Sequence, residues 1–195
     1  NITLHAAELT LPISPVEAMR ERLWKSIQVG RARRIGHGVA LAWSDRPEGL
    51  LAMMKRDGVA VEICLSSNHA ILGVDGDRHP LRMYRKAGVP VFLNTDDEGV
   101  SRSNLTIEHV RGVRDQGLSY RDLKEMARNS IEYSFLRGRS LYENHDFRRL
   151  NATFKDVRNA RWSPSTAAAK FLQESEKLAV QVRLERSFVE FENRY

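Results

Sequence analysis

One repeated unit constrains this chain more than any other feature. A short β-rich run ends in a chemically capable residue, and a helical stretch follows. Asn1-Ile2-Thr3-Leu4-His5 is the first such run, and Arg34-Ile35-Gly36-His37-Gly38 the second. Val59-Ala60-Val61-Glu62-Ile63-Cys64 is the third. Val89-Pro90-Val91-Phe92-Leu93-Asn94 is the fourth and leads into Thr95-Asp96-Asp97. His5, His37, Cys64 and Asp96 lie 32, 27 and 32 residues apart, the length of a βα unit. The pattern predicts four parallel strands joined by right-handed helical crossovers. Pro90 suits a strand start, where no ladder donor is needed.

Helix signals fill the intervals. Ser14-Pro15-Val16-Glu17 reads as an N-cap, a proline in the first helical position and a capping glutamate, opening a helix to about Val29 that Gly30 ends. A second helix is expected over 47–56, stopped by Asp57-Gly58, and a short one over 81–86, stopped by Gly88. From Leu105 onward the chain reads as mainly helical. Ser119 caps one helix ending near Asn129, and a longer one starts near Thr166 with Phe171, Leu178, Val182 and Val189 at heptad-like spacing. The stretch 136–165 is polar and reads as an irregular connection. The expected organisation is a single domain, with four βα units over about 1–118 and a helical extension over about 119–195.

Composition narrows the function. Of 195 residues, 42% are hydrophobic and 29% charged, the balance of a soluble globular protein. No run approaches the roughly 20 apolar residues of a membrane helix, so no membrane partner is expected. The net charge is +6, but the basic residues alternate with acids, and Arg31-Ala32-Arg33-Arg34 is the densest cluster. Solvated faces account for such mixtures, so no nucleic-acid partner is expected. Cys64 is the only cysteine, which excludes an internal disulfide and a cysteine-based zinc site and fits a reducing, cytoplasmic setting. The first residue is not methionine and already lies in a strand. Residues before Asn1 are therefore expected, together with any targeting signal.

Each strand end has a functional and a plain reading. His5 and Glu8 could place a ligand and an acid beside one metal, or be an ordinary surface pair. The glycines around His37 let the backbone turn and a ligand approach, or simply form a turn. Asp96 and Asp97 repel each other unless a cation or donors compensate, or they begin a helix as cap and first-turn acid. Groups at successive strand ends of a (β/α)₈ barrel converge on one pocket, and histidine with aspartate suits catalytic zinc with an open position for water. A short open α/β sheet is the alternative.

The blocks His-Ala-x-Glu, Arg-Ile-Gly-His-Gly, Val-Glu-Ile-Cys-x-x-Ser-Asn, Asn-Thr-Asp-Asp and Asn129-Ser130-Ile131-Glu132-Tyr133-Ser134-Phe135, in this order, resemble the adenosine deaminase family. They span roughly 70% of the chain. The resemblance implies the C-terminal half of a metal-dependent-hydrolase (β/α)₈ barrel with extra C-terminal helices. It implies zinc-dependent deamination of adenosine or 2′-deoxyadenosine to the inosine product and ammonia. His5 and Asp96 match metal ligands, and Glu8 matches the acid that protonates purine N1. His37 matches the residue that orients or deprotonates the attacking water, and Asp97 the residue that hydrogen-bonds N7. Zinc would bring a water acidified toward a pKa of about 7, and Glu8 must hold a proton near neutral pH.

The chain departs from the family twice. Ala7 stands where the family usually has glycine, and the family's His-x-His pair is absent. Two zinc ligands are therefore expected from a preceding portion, and this stretch alone is expected to be inactive and poorly soluble. His69, His79, His109 and His145 read as loop residues. Trp24, Trp43, Trp162 and Cys64 read as packing residues. A related purine such as adenine or an N6-modified AMP stays open, with Arg78, Arg82 and Arg102 as candidate phosphate contacts. So does a non-catalytic family member acting as a binding protein.

Overall fold

The computed structural model describes residues 1–11 and 13–195. Four strands form one parallel sheet in the order in which they occur along the chain. They are β1 (Thr3–Ala6), β2 (Arg34–His37), β3 (Ala60–Ile63) and β4 (Val91–Leu93). Register is tight at the C-terminal ends. Ala6 pairs with His37, Gly36 with Glu62, and Ile63 with Leu93. Every expected strand is present, with ends within two residues of the β-rich run that encodes it.

The crossovers follow the punctuation of the sequence, with one exception. Instead of one helix from Pro15 to Val29 there are two, α1 (Val16–Arg20) and α2 (Arg22–Gln28). Glu21 between them leaves helical geometry at φ −107°, ψ 0°. Pro15 holds the cap position without a side-chain bond, so the expected Ser14 capping box does not form. The next helix, α3 (Pro47–Asp57), starts at proline and ends at Gly58, whose φ of +63° suits glycine. Two helices, α4 (Leu65–Leu72) and α5 (Leu81–Ala87), connect β3 to β4, and Gly88 ends α5 at φ +75°. Beyond β4 come α6 (Glu98–Ser101), α7 (Leu105–Gln116) and α8 (Tyr120–Glu132). Ser119 and Asp122 cap α8 reciprocally: the Asp122 carboxylate accepts from Ser119 N–H at 2.8 Å, and Ser119 Oγ from Asp122 N–H at 3.2 Å.

The chain divides into two compact units, Asn1–Asn129 and Ser130–Tyr195. The first buries Leu23, Ile35, Leu41, Met54, Ile63, Leu81 and Tyr84 around the sheet. Its strands are also tied by Glu62 of β3, which accepts from Thr3 Oγ1 at 3.0 Å, Arg34 Nε at 2.9 Å and Asn94 Nδ2 at 3.0 Å. One carboxylate thus links side chains from every strand or its end.

The second unit corrects the reading of 136–165 as an irregular connection. Strands β5 (Tyr142–Glu143) and β6 (Asp146–Leu150) form an antiparallel hairpin. Asn144 and His145 sit at its tip with φ of +54° and +59°, the signature of a type I′ turn. Leu141, Tyr142, Phe154 and Val157 of this stretch are fully part of a core with Ala168, Leu178 and Val182. The long terminal helix is also two, α9 (Thr166–Glu174) and α10 (Glu176–Glu192). At the break, Ser175 Oγ donates to Arg139 O at 3.1 Å and accepts from Leu178 N–H, capping α10. No helix of the described residues is long and apolar enough to cross a membrane.

Candidate active site

The C-terminal ends of the strands turn sharply, and those turns set the site. Ala7, His37 and Asp96 all adopt left-handed backbone, with φ of +54°, +73° and +56°. For residues carrying a Cβ this conformation is costly, and it persists only where surrounding structure imposes it. At β2 the imposing contacts are visible. Gly38 N–H donates to Ala6 O at 3.1 Å, and Ala40 N–H to Ala7 O at 2.7 Å. Tyr84 Oη donates to Gly38 O at 2.7 Å, and a Cβ on Gly38 would lie 2.5 Å from that oxygen. Gly38 is therefore required twice, by its φ of +61° and by Tyr84. Gly36, by contrast, lies within β2 with ordinary space at its Cα.

These turns bring four of the five expected residues together. His5 Nε2 lies 3.8 Å from Asp96 Oδ1, and His37 Nε2 lies 3.8 Å from both Asp96 Oδ2 and Glu8 Oε1. The two imidazole rings are 4.8 Å apart between centroids. His5, His37 and Asp96 each offer a ligand atom, all within 4.8 Å of one another. Exposure grades across the cluster: the His5 side chain is 71% exposed, Glu8 25%, Asp96 13% and His37 1%. A cavity of about 190 Å³ opens beside His5 and Glu8, with Ala7, Leu9 and Met19 in its walls. Asp97 stands apart. It is exposed at the start of α6, and its side chain caps nothing; its carbonyl accepts from Val100 N–H at 3.0 Å, Ser101 N–H at 2.9 Å and Ser101 Oγ at 3.0 Å.

Behind His37 lies a buried polar chain that sequence reasoning missed. His37 Nδ1 meets Asn68 Nδ2 at 3.0 Å, and Asn68 Oδ1 meets His79 Nε2 at 3.1 Å. Leu81 N–H then donates to His79 Nδ1 at 3.1 Å. Asn68 and His79 are both buried. Burial pushes the His79 imidazole down to about 4. Burial also lowers His37, outweighing the facing carboxylates of Glu8 and Asp96, which favour its charged form. Asn68 is fixed from α4, whose N-terminus is held by Glu108 of α7: its carboxylate accepts from Leu65 N–H at 2.8 Å and Ser66 N–H at 3.2 Å.

The remaining histidines are elsewhere. His69 and His109 lie on α4 and α7 rather than in loops, and His69 Nδ1 pairs with Asp75 at 3.2 Å. His145 lies at the hairpin tip, 2.5 Å from the buried Glu132. Cys64 is buried at the end of β3. Burial and the carboxylates of Asp96, Glu62, Glu108 and Glu8 push its thiol far up, which keeps it protonated in the folded chain. Trp24 is 49% exposed and does not pack in the core.

The family model for adenosine deaminase matches residues 1–142. The chain belongs to the adenosine deaminase family. It is 35% identical over 133 residues to the aminodeoxyfutalosine deaminase of Streptomyces coelicolor, covering 68% of this chain and 32% of that relative. It is 34% identical over 136 residues to the adenosine deaminase of Shewanella loihica, covering 69% and 38%. Among solved structures, the N6-methyl-AMP deaminase of Arabidopsis thaliana matches with a TM-score of 0.53 and 32% identity, covering 70% of this chain and 36% of that one. The adenine deaminase of Arthrobacter aurescens matches in fold, with a TM-score of 0.57, covering 69% and 38%. The chain spans about a third of the length of the relatives it matches, from 32% to 38%. The parallel sheet is the C-terminal half of a (β/α)₈ barrel, followed by further helices. That placement explains why the cluster forms at the C-terminal ends of β1, β2 and β4, the face on which such barrels carry their sites.

Proposed function

We propose that this family member contributes the acid–base half of a zinc-dependent purine nucleoside deaminase, converting adenosine or 2′-deoxyadenosine to the inosine product and ammonia. The convergence of His5, His37 and Asp96 within 4.8 Å, with Glu8 beside them, carries the reading. The donor set fits the metal: imidazole nitrogen and carboxylate oxygen are borderline and hard ligands of the kind zinc takes. His5 and Asp96 would hold it, with two further ligands expected from elsewhere in the complete barrel.

When bound, zinc supplies a Lewis acid and a water acidified toward a pKa of about 7. The remaining work falls to side chains of this chain. Glu8 delivers a proton to purine N1, which makes C6 a better electrophile. His37, held rigidly against Asn68, orients the attacking water. Asp97, free of any capping duty, hydrogen-bonds N7 and sets the ring's position. This stretch alone is proposed to be inactive, and the full-length enzyme to act in purine salvage in the cytoplasm.

Two observations bear on the nearer alternative, a phosphate-bearing substrate. Arg78 is paired with Asp75 at 2.6 Å and Arg82 with Asp77 at 2.8 Å, so a phosphate would have to displace a carboxylate from either. These pairs favour the unphosphorylated nucleoside as substrate, although they do not engage Arg102, the third candidate contact.

The test is ammonia release from adenosine by zinc-loaded full-length protein, with metal content measured alongside. Asp96→Ala is expected to lose both zinc and activity. A full-length Asp96→Ala protein that deaminates at the wild-type rate would refute the assignment. Zinc-loaded wild-type protein that binds adenosine without releasing ammonia would favour a non-catalytic binding protein.

A further inference from the structure

His79 is a buried histidine that the proposed chemistry leaves without a task. Its surroundings determine where its proton sits. A backbone amide can only donate, so Leu81 N–H makes His79 Nδ1 an acceptor, and the neutral ring carries its hydrogen on Nε2. That Nε2–H faces Asn68 at 3.1 Å and requires the amide oxygen there. The opposite amide orientation would set two N–H groups against each other. Asn68 must then present its NH₂ to His37 Nδ1, 3.0 Å away. An amide nitrogen accepts nothing, so His37 Nδ1 accepts, and the hydrogen of the neutral ring lies on Nε2. One backbone N–H thus orders three side chains in sequence, across α4, α5 and the end of β2.

We propose that Asn68 and His79 are positioning residues that lock His37 as the Nε2-protonated tautomer, so that this imidazole offers the site a hydrogen-bond donor and no lone pair. Two consequences follow for the cluster. His37 drops out of the set able to ligate a cation, although its Nε2 lies within 4.8 Å of the ligand atoms of His5 and Asp96. It also cannot take a proton from the attacking water through Nε2, and acts instead by donating to that water's oxygen. The tautomer stands on the hydrogen-bond chain alone. The action on the water rests on the deaminase reading above.

The experiment is two-bond ¹H–¹⁵N correlation spectroscopy of full-length protein labelled with ¹⁵N-histidine, zinc-free and zinc-loaded. His37 and His79 are both expected to show a pyridine-like Nδ1 and a pyrrole-like Nε2, unchanged by zinc. Asn68→Asp places a group that only accepts between the two rings. It is expected to bring a proton onto His37 Nδ1 and to lower kcat for adenosine by on the order of 10²-fold or more, with KM little changed. Wild-type protein with His37 protonated on Nδ1 would overturn the proposal without any variant being needed. So would a zinc-induced loss of the Nε2–H signal, or a folded Asn68→Asp protein whose His37 keeps the wild-type pattern. Wild-type protein with the expected tautomers but no activity on any purine nucleoside would overturn the deaminase reading and leave the lock intact.

Discussion

His79 holds its neutral state against its own ordinary chemistry, and that has a consequence for acid stability. Burial lowers its pKa from 6.5 to about 4 in the folded chain. Between those values the unfolded chain binds a proton that the folded chain does not. Stability contributed by this group is therefore complete above about pH 6.5 and is lost as pH falls toward 4. Linkage puts the loss between pH 7 and pH 5 at about 2 kcal/mol. Replacing the ring with a neutral amide removes this term. Denaturant melts of full-length protein at the two pH values should show His79→Gln losing less stability on acidification than wild type. Equal losses would show that His79 titrates normally. None of this was legible in the sequence, where His79 before Pro80 reads as a loop residue. The chain from Leu81 through Asn68 to His37 exists only because α4 and α5 bring those positions together.

The strand-end turns are the element-scale device of this site, and one of them falls on Ala7. The φ of +54° at Ala7 is one that glycine adopts freely and alanine at a cost of about 1 kcal/mol. Ala7→Gly is expected to raise stability, by less than that amount because glycine is also more disordered when unfolded. Gly38→Ala should cost about 2 kcal/mol or more, since it meets both a positive φ and the Tyr84 hydroxyl. Unfolding midpoints of the two variants should move in opposite directions. A shift of Gly38→Ala no larger than that of Ala7→Gly would remove the argument for an imposed turn. Strands and these helix ends were legible because their signals are local: β-rich runs, Pro47 at a start, Gly58 and Gly88 at stops. The breaks at Glu21 and Ser175 were not. Ser175 interrupts a continuous apolar stripe only because its hydroxyl finds Arg139 O and Leu178 N–H. The hairpin was hidden because His145 stands at the turn position where glycine is the usual marker.

At the scale of the whole molecule the chain carries two cores, each with its own buried aromatic centre. In the second unit Phe154 is fully buried, and Trp162 packs beside it at 6.2 Å between ring centroids. Phe154→Ala is expected to cost about 3–5 kcal/mol. Amide hydrogen exchange should accelerate across residues 130–195, and unchanged exchange there would mean that Phe154 is not central to that core. The four parallel βα units were legible from the spacing of strand ends, and the resemblance named the residues of which His5, Glu8, His37 and Asp96 lie together while Asp97 does not. The second core was not, because its apolar residues are thinly spread through a polar stretch.

The placement of Cys64 gives this chain a built-in clock. The thiol sits between β3 and α4, buried and held protonated. Thiol-modifying reagents can reach it only when that junction opens, so its modification rate times the opening of the junction that also carries Asn68.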